Sequence, residues 1–321
     1  MVSELVSFIK KNNFLIFLIF YTPVLVLAET IIDDYRRYDV TKTKFILEKS
    51  AKDLSYPWAL SFIDKTNVVI TEKDGGLYKV DVLSGKKQKI KHNIPHIGYD
   101  GGGQGGLLDV YFNPSDDYIY FTYSHKSSKL TRSKQLSKKS STAIARGRLI
   151  ENEIKDFEIL LIAKPEFLEN RHYGSRIAIK GDDLFVSFGE RGQGMISQDP
   201  SKHPGSIVRI KTDGAIPADN PRSIEKKDWL PEIYVIGVRN PQGIAVSPHD
   251  DEIYFSSHGP RGGDHIGEVE FGSNYGWKDI AWGGREYYGL GIGDTPFKDK
   301  YKKPMHHYPL FVFLFYHLWQ L

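Results

Sequence analysis

The chain has 321 residues, enough to bury a substantial core in one large domain or two average ones. Its formal net charge is only +3, so nucleic acid is not an expected partner. Cysteine is absent, which excludes disulfides, thiolate metal sites and a cysteine nucleophile. The 19 tyrosines and 18 phenylalanines favour β-structure.

The N-terminus predicts secretion. Two lysines precede an apolar run over residues 14–27, and Ala28 follows modest side chains of the kind that a signal peptidase reads. The alternative is an uncleaved anchor, but the run is short and is interrupted by Pro23. We therefore predict a signal peptide over residues 1–28, a periplasmic or secreted mature protein, and no stable membrane span after cleavage.

A recurring strand pattern follows. Each unit has a short apolar strand, a tight turn, a second strand rich in Val, Ile, Tyr and Phe, and a third strand after a polar loop. The predicted strands cover residues 57–62, 67–73 and 76–82, then 106–114, 118–124 and 145–151, then 175–182, 184–192 and 205–214, then 241–248, 252–259 and 265–272. Repetition of a three- or four-stranded antiparallel unit predicts an all-β β-propeller, with a β-sandwich as the alternative.

Two segments interrupt this pattern. Residues 126–148 carry many lysines and arginines and no acid, which indicates a solvated surface insertion, with an anionic partner as the alternative. From Pro304 the chain is densely aromatic and aliphatic and lacks turn residues. We predict a propeller domain over residues 29–303 and an aberrant apolar tail over 304–321. A truncated or frame-shifted end is favoured over a buried last strand.

The glycine-rich loop around Gln104 could contact a ligand, and the segments of His172 and Glu190 suggest acid–base chemistry. The loop 99–110 surrounds Gln104 with glycines, which permit close approach of a ligand, although a simple turn explains them equally well. No helix follows this loop to hold a phosphate. His172 precedes a predicted strand, and Glu190 follows the next one. A carboxylate can orient an imidazole and stabilise its protonated form, so His172 is a candidate general base.

Two further loops offer groups that bind anions and metals. Arg239, Asn240 and Gln242 present a planar cation and two amides, a set that suits an oxygen-rich anionic ligand. Pairing of the arginine with structural carboxylates is the alternative. The sequence HGPRGGDH begins at His258, and its carbonyls together with Asp264 are hard oxygen ligands that point to calcium.

Together the sequences GQGGLLDV, HYGSR, SFGERG, GSIVRIKTDGAIPADNP, PEIYVIGVRNPQG, HGPRGGDH and NYGW resemble the soluble pyrroloquinoline-quinone (PQQ) dependent sugar dehydrogenases, in the glucose/sorbosone dehydrogenase family. The resemblance covers residues 56–277 in the same order. It implies a six-bladed propeller, of which about four blades are recognisable in this chain. It also implies PQQ- and calcium-dependent oxidation of aldose sugars at C1 to the lactone, with an external electron acceptor.

The resemblance implies a role for each candidate residue. His172 matches the base that takes the proton of the C1 hydroxyl, and Glu190 matches an acid near that base. The remaining residues match three sets, namely quinone contacts at Gln104, Arg239, Asn240 and Gln242, catalytic calcium ligands at the carbonyls of Gly259 and Pro260, and a second calcium site at Asp264 and Tyr275.

The chain departs from the family at two points. His265 stands where family members usually carry glutamate, which predicts a weakened second calcium site. The family also continues for about two further blades by the usual repeat length. The alternative functions are therefore a truncated, inactive propeller acting at most as a binding module, and a calcium-dependent propeller lactonase.

Overall fold

The computed structural model describes residues 37–40, 43–46, 49–127 and 138–308. The chain divides into two compact units, residues 1–52 and 53–321. In the first unit the strands β1 (Arg37–Val40) and β2 (Thr43–Ile46) pair antiparallel. The predicted signal peptide lies outside the described residues, so its cleavage stays a prediction. No helix within the described ranges is long and apolar enough to cross a membrane.

The second unit contains four antiparallel sheets, each built from four strands that follow one another in sequence. The first two sheets contain β3 (Pro57–Phe62), β4 (Asn67–Glu72), β5 (Leu77–Asp81) and β6 (Lys87–Lys89), then β7 (Leu107–Asn113), β8 (Tyr118–Lys126), β9 (Ser140–Ile150) and β10 (Glu153–Ile162). The last two contain β11 (Ile177–Lys180), β12 (Asp183–Phe188), β13 (Ser206–Lys211) and β14 (Ile233–Ile236), then β15 (Pro241–Val246), β16 (Ile253–Ser257), β17 (Asp264–Glu268) and β18 (His306–Tyr308). A short 3-10 helix (Gly194–Gln198) and the one-turn α1 (Pro221–Ile224) lie in the connections of the third sheet.

Aspartates at the first turn of three sheets explain why the chain reverses there. In the second sheet the Asp116 carboxylate accepts the N–H of Tyr118 at 3.1 Å and the hydroxyl of Tyr120 at 2.6 Å. In the fourth sheet Asp250 accepts the N–H of Glu252 at 3.1 Å and the hydroxyl of Tyr254 at 2.8 Å. Asp64 caps the corresponding turn of the first sheet through main-chain N–H groups. Such side-chain acceptors replace the backbone partners that a tight turn lacks.

The four sheets pack face to face in sequence order. One apolar cluster joins the first and second sheets, another joins the second and third, and a third joins the third and fourth. The first strands of successive sheets contact one another, and a cavity of about 540 Å³ lies between them, lined by residues that include Ser61, Tyr111, Ile177 and Gln242. This is the arrangement of four blades around a central channel, which confirms the predicted all-β propeller.

The basic segment 126–148 differs from its interpretation as a surface insertion. Residues Ser140–Ile150 form strand β9, and its first six residues are buried. The strand carries Ala143, Ile144 and Ala145 into the core, while Arg146 pairs with Glu158 at 2.5 Å on the neighbouring strand. Residues 128–137 lie outside the described residues. Arg146 and Arg148 lie on a regular strand, and the charge pattern obscured its buried first half.

Part of the predicted tail also joins the propeller. His306–Tyr308 forms β18, which pairs with β17 as the outer strand of the fourth sheet. Residues 309–321 lie outside the described residues. The proposed domain boundary at residue 303 stays a prediction.

Candidate active site

Five loops meet at one end of the sheets. Because neighbouring strands are antiparallel, the connections between sheets and those between the second and third strands of a sheet leave the same face of the propeller. Contacts link these loops in series, from Gln104 to His172, from His172 to Glu190, from Glu190 to Arg239, and from Arg239 to Gly259. The structure therefore brings together most of the residues that the sequence singled out.

The His172 imidazole and the Glu190 carboxylate form a direct pair. Nδ1 of His172 hydrogen-bonds Oε1 of Glu190, and the second carboxylate oxygen accepts the N–H of Gly194 at 2.5 Å. Since an ionised carboxylate can only accept, Nδ1 carries the proton and Nε2 keeps a lone pair. The His172 side chain is 12% exposed and that of Glu190 is 2% exposed, so the imidazole edge is open while the acid is enclosed.

Glu190 stays ionised despite its burial. Burial by itself raises the pKa of this carboxyl, but the hydrogen bond and charge of His172, the Gly194 N–H and the charge of Arg239 outweigh it. The net pKa lies below the ordinary value. An ionised Glu190 next to His172 stabilises the imidazolium that forms when the histidine accepts a proton.

Gln104 serves the backbone of the His172 loop. Its side-chain oxygen accepts the N–H of His172 at 2.6 Å, and its own N–H donates to the carbonyl of Asn170 at 2.9 Å. The Asn170 side chain returns a contact to Gly105 N–H at 2.9 Å and donates to Asp100 at 2.6 Å. The glycine-rich loop thus packs against the histidine loop, and glycine is required where a Cβ at position 103 would lie 2.3 Å from Asn170 Nδ2.

A second glycine allows the histidine loop to approach β12. A Cβ at Gly189 would lie 2.1 Å from the carbonyl oxygen of His172 and 2.8 Å from Oδ1 of Asn240. No larger residue fits between the Glu190 turn and the histidine loop without displacing the backbone. The motif SFGERG therefore has its glycine for close approach and its glutamate for the imidazole.

Arg239 and Asn240 lie next to this pair. The guanidinium of Arg239 is buried, donates from Nη1 to the carbonyl of Gly259 at 2.8 Å, and stands 5.3 Å from the ring centre of Trp277. Asn240 Oδ1 accepts the N–H of Gly174 at 3.0 Å. A buried guanidinium that contacts only carbonyls and an aromatic ring retains its charge for an anionic ligand. Gln242 instead lies on β15 and lines the central channel.

The loop after β16 supplies oxygen atoms of the kind that calcium prefers. Gly259 donates its N–H to Oδ1 of Asp264 at 2.6 Å, and a Cβ at Gly259 would lie 2.1 Å from the carbonyl of Gly262, so the turn is tight. The carbonyls of Gly259 and Pro260 are hard ligands and fit the chemistry of calcium. The Gly259 carbonyl already accepts from Arg239, but a carbonyl oxygen has a second lone pair.

The residues of the predicted second calcium site make other contacts. The Tyr275 hydroxyl donates to the carbonyl of Glu268 at 2.8 Å, and the Tyr275 carbonyl accepts from Trp282 at 2.9 Å. His265 stacks on the Tyr275 ring with centroids 6.0 Å apart, and burial lowers its pKa to about 4, so it is neutral. With Asp264 bound to Gly259, these atoms do not form a ready oxygen cage, and the second calcium site stays a prediction.

Sequence reasoning missed Arg191, which follows Glu190 directly. Its guanidinium is buried beneath the histidine loop and donates to main-chain carbonyls there. The signal was its position between a candidate acid and Gly192 in SFGERG. Arginines are common at surfaces, so the sequence alone gave no reason to expect this one to be buried.

The described arrangement can perform proton abstraction next to a bound anion. Nδ1 of the imidazole is held by an ionised acid while Nε2 keeps its lone pair, and the buried Arg239 adjoins that acid through a main-chain hydrogen bond. Among the described residues no group of three or more histidine and acidic side chains is arranged to hold a metal ion. Any metal held by these loops would rely on main-chain carbonyls and on the ligand itself.

The chain is similar to a family of known sugar dehydrogenases. The sequence profile of the family described as Glucose / Sorbosone dehydrogenase matches residues 54–312. The chain is 34% identical over 237 residues to aldose sugar dehydrogenase YliI of Escherichia coli strain K12, covering 72% of this chain and 61% of that protein. It is 27% identical over 253 residues to quinoprotein glucose dehydrogenase B of Acinetobacter calcoaceticus, covering 71% and 51%. The chain thus spans less than two thirds of these relatives' lengths.

Solved structures have the same fold. The soluble aldose sugar dehydrogenase of Escherichia coli in its apo form superposes with a TM-score of 0.72 at 31% identity, over 81% of this chain and 74% of that one. The PQQ-bound aldose sugar dehydrogenase of Streptomyces coelicolor superposes with a TM-score of 0.65 at 23% identity, over 82% and 71%. These likenesses confirm the propeller fold and the resemblance found in the sequence.

Proposed function

Because the chain belongs to the glucose/sorbosone dehydrogenase family, we propose that its loop face oxidises aldose sugars at C1 to the lactone, with PQQ and calcium as cofactors. The observation that carries the proposal is the His172–Glu190 pair, with its open imidazole edge next to the buried Arg239. Relatives named aldose sugar dehydrogenase and quinoprotein glucose dehydrogenase support this substrate class and the quinone. The whole reaction, including calcium and the histidine base, is our proposal.

In the proposed reaction His172 handles the proton. Its Nε2 accepts the proton of the sugar's C1 hydroxyl as the C1–O bond becomes a carbonyl, and the C1 hydrogen leaves with its electron pair. The ionised Glu190 holds the imidazole through Nδ1 and stabilises the resulting positive charge. When bound, PQQ would supply the hydride acceptor, and calcium held by the carbonyls of Gly259 and Pro260 would supply the Lewis acid for the quinone carbonyl.

Other residues of the site bind and orient. Arg239 and Asn240 would hold the anionic quinone, with Gln242 a less central candidate because it lines the channel. The Gln104 side chain accepts the main-chain N–H of His172 and thereby fixes the position of the imidazole in the site. The carbonyls of Gly259 and Pro260 would hold calcium, with the remaining ligands supplied by quinone and water.

Reconstitution tests the proposal directly. The purified chain is incubated with PQQ and calcium, and reduction of an artificial electron-acceptor dye is followed with a panel of aldoses. We expect aldose-dependent dye reduction that disappears when calcium is chelated and returns when it is restored. Absence of quinone binding by titration would contradict the proposal for this chain and favour a binding module. Lactone hydrolysis without dye reduction would favour the lactonase alternative.

We further propose, from the predicted signal peptide, that this activity lies in the periplasm or outside the cell. Expression of the full chain in a bacterial host, followed by fractionation and N-terminal sequencing, tests this proposal. A mature protein that begins at Glu29 in the periplasmic fraction is the expected result. Recovery of uncleaved chain in the membrane fraction would contradict it.

A further inference from the structure

The loop that carries His172 has a strained backbone. His172 has φ +51°, Ser175 has φ +80°, and Arg191 on the facing turn has φ +59°. For residues with a Cβ this left-handed region is sterically unfavourable, and it persists only where the surroundings enforce it. Some part of the structure must therefore hold the histidine loop in place.

The Arg191 side chain makes the contacts that do so. It is 2% exposed, and its Nε donates to the carbonyl of Arg171, the residue before His172, at 2.9 Å. Its Nη1 donates to the carbonyl of Ser140 at 3.1 Å, and its Nη2 donates to the carbonyl of Glu169. One rigid guanidinium thus ties the histidine loop to the start of β9.

The ring of Tyr173 also contacts Arg191. The Arg191 guanidinium lies 3.6 Å from the ring centre of Tyr173, the residue after His172. The Tyr173 hydroxyl lies 2.7 Å from the Ser140 hydroxyl and donates to Asn170 at 3.1 Å. The residues on both sides of His172 are therefore fixed through Arg191, one by a hydrogen bond and the other by stacking.

We infer that Arg191 is a positioning residue for the proposed base. It holds the His172 loop so that Nδ1 of the imidazole contacts Glu190 and Nε2 faces the ligand. The inference rests on the proposed function. The planar fork suits this task because it reaches several carbonyls from one fixed plane, whereas a lysine ammonium is a point charge on a flexible stem. Arg191→Lys therefore keeps the positive charge but cannot make the three guanidinium hydrogen bonds from one plane.

Kinetics separate positioning from general stability. In the reconstituted chain we expect Arg191→Lys to lower kcat by about 10-fold to 100-fold, as displacement of a catalytic group does, with KM and the dissociation constant of PQQ changed by less than about threefold. The matched control is Arg209→Lys on β13, an arginine paired with Asp183 at 2.6 Å and Asp219 at 3.0 Å. It should lose stability without losing kcat per bound quinone.

A second measurement does not depend on turnover. Long-range ¹H–¹⁵N spectra of the imidazoles, with the His172 signals assigned from His172→Gln, report tautomer and protonation in the cofactor-free chain. Wild type should show one tautomer with the proton on Nδ1. Arg191→Lys should show a mixture of the two neutral tautomers, because the imidazole is no longer held against Glu190. Arg209→Lys should match wild type.

The outcomes are distinct. If wild type fails to reduce dye but Arg191→Lys shifts the His172 spectrum, the proposed function fails and the positioning role stands. If Arg191→Lys leaves both the spectrum and kcat at wild-type values, the positioning role is wrong. If kcat falls only in proportion to the unfolded fraction, with an unchanged His172 spectrum, Arg191 acts on stability alone and the inference is overturned.

Discussion

Two histidine–glutamate pairs lie in the part of the propeller that the structure describes, and they differ in what surrounds the imidazole. His203 Nε2 bonds Glu232 at 2.5 Å, as His172 Nδ1 bonds Glu190. The second nitrogen of His203 accepts the N–H of Lys164 at 3.0 Å, and its side chain is only 4% exposed. Among the described residues, no partner occupies Nε2 of His172. We call His203–Glu232 the closed pair, because both ring nitrogens have partners, and His172–Glu190 the open pair, because Nε2 faces the loop side without one among the described residues.

A ring nitrogen without a partner distinguishes a candidate base from a structural histidine. His203 joins the segment before β11 to the segment before β14, and the edge of Phe188 packs on its ring. Nothing remains on that imidazole to accept a substrate proton. At His172 the backbone is left-handed, the glycine of SFGERG lets the loop approach, and a buried arginine lies nearby. Strain and exposure coincide at the site with the proposed chemistry.

Replacement of the open histidine should have the largest effect. His172→Gln is expected to lower kcat by about 10³-fold, because general base catalysis contributes about 10²-fold to 10⁴-fold. Quinone binding should persist, since the residues proposed to hold it are unchanged. Stopped-flow dye reduction with an aldose measures the loss, and quinone absorbance titration measures binding. Retained kcat in this variant would remove His172 from the reaction.

The acid of the open pair should have the next largest effect. Glu190→Gln keeps an oxygen to accept the Gly194 N–H but loses the charge that stabilises the imidazolium. We expect kcat to fall by about 10²-fold with the fold intact. The matched control is Glu232→Gln, the same change in the closed pair, which should leave kcat unchanged. An equal loss of kcat in both variants would contradict the proposal that only the open pair takes part in the reaction.

The closed pair should govern stability. The single amide of His203→Gln cannot replace both ring nitrogens in place, so the buried Glu232 carboxylate or the Lys164 N–H loses its partner, which should lower the free energy of unfolding by about 2 kcal/mol. The neighbouring Lys202→Gln changes a partly exposed side chain and should stay within about 0.5 kcal/mol of wild type. Urea unfolding followed by circular dichroism measures both. A neutral result for His203→Gln would mean that water or local relaxation satisfies the freed groups.

The smallest expected effect is the pH dependence of the free energy of unfolding that comes from the closed pair. Burial raises the pKa of Glu232, but the hydrogen bond and charge of His203 outweigh it, so the folded pKa lies below the ordinary 4.5. The unfolded chain therefore binds this proton first as the pH falls. The stability that Glu232 contributes is complete above its unfolded pKa and is lost as the pH falls through the folded value.

Unfolding free energies measured from about pH 6 to about pH 3 test this sign. Wild type should lose more stability over that range than Glu232→Gln, in which the titrating group is absent. The difference between the two curves isolates Glu232, because the other carboxylates titrate in both proteins. A variant curve that falls as steeply as that of wild type would show that the pair does not contribute.

The sequence predicted what depends on local pattern and missed what depends on distant contacts. Alternating apolar residues and turn signals located four sheets, because each sheet is built from consecutive strands. The pairing of His172 with Glu190 was also foreseen, since both lie at strand ends that point to one face. Only the second half of β9 was predicted as a strand. Its buried first half, Ser140–Ala145, was missed because it follows a run of lysines and arginines that is typical of a solvated segment.

The missed site features have a common cause. Arg191 and the His203–Glu232 pair depend on which loops meet, and the contacts that place them span 20 to 51 residues of sequence. The approach of Arg239 to the Gly259 carbonyl depends likewise on two loops of adjacent sheets. Residue type indicates what a side chain can do, but burial decides whether a charge serves a ligand or the fold.

The aspartates at the first turn of three sheets bear on the order in which the chain folds. Their partners lie two to four residues away, so these hairpins can close before distant loops meet. The fourth sheet differs at its outer edge, where β18 joins β17 only after a long excursion through residues 269–305. Closing such a loop costs more chain entropy than closing a hairpin. The edge of the fourth sheet should therefore be the last part of the propeller to form and the first to exchange its amide hydrogens.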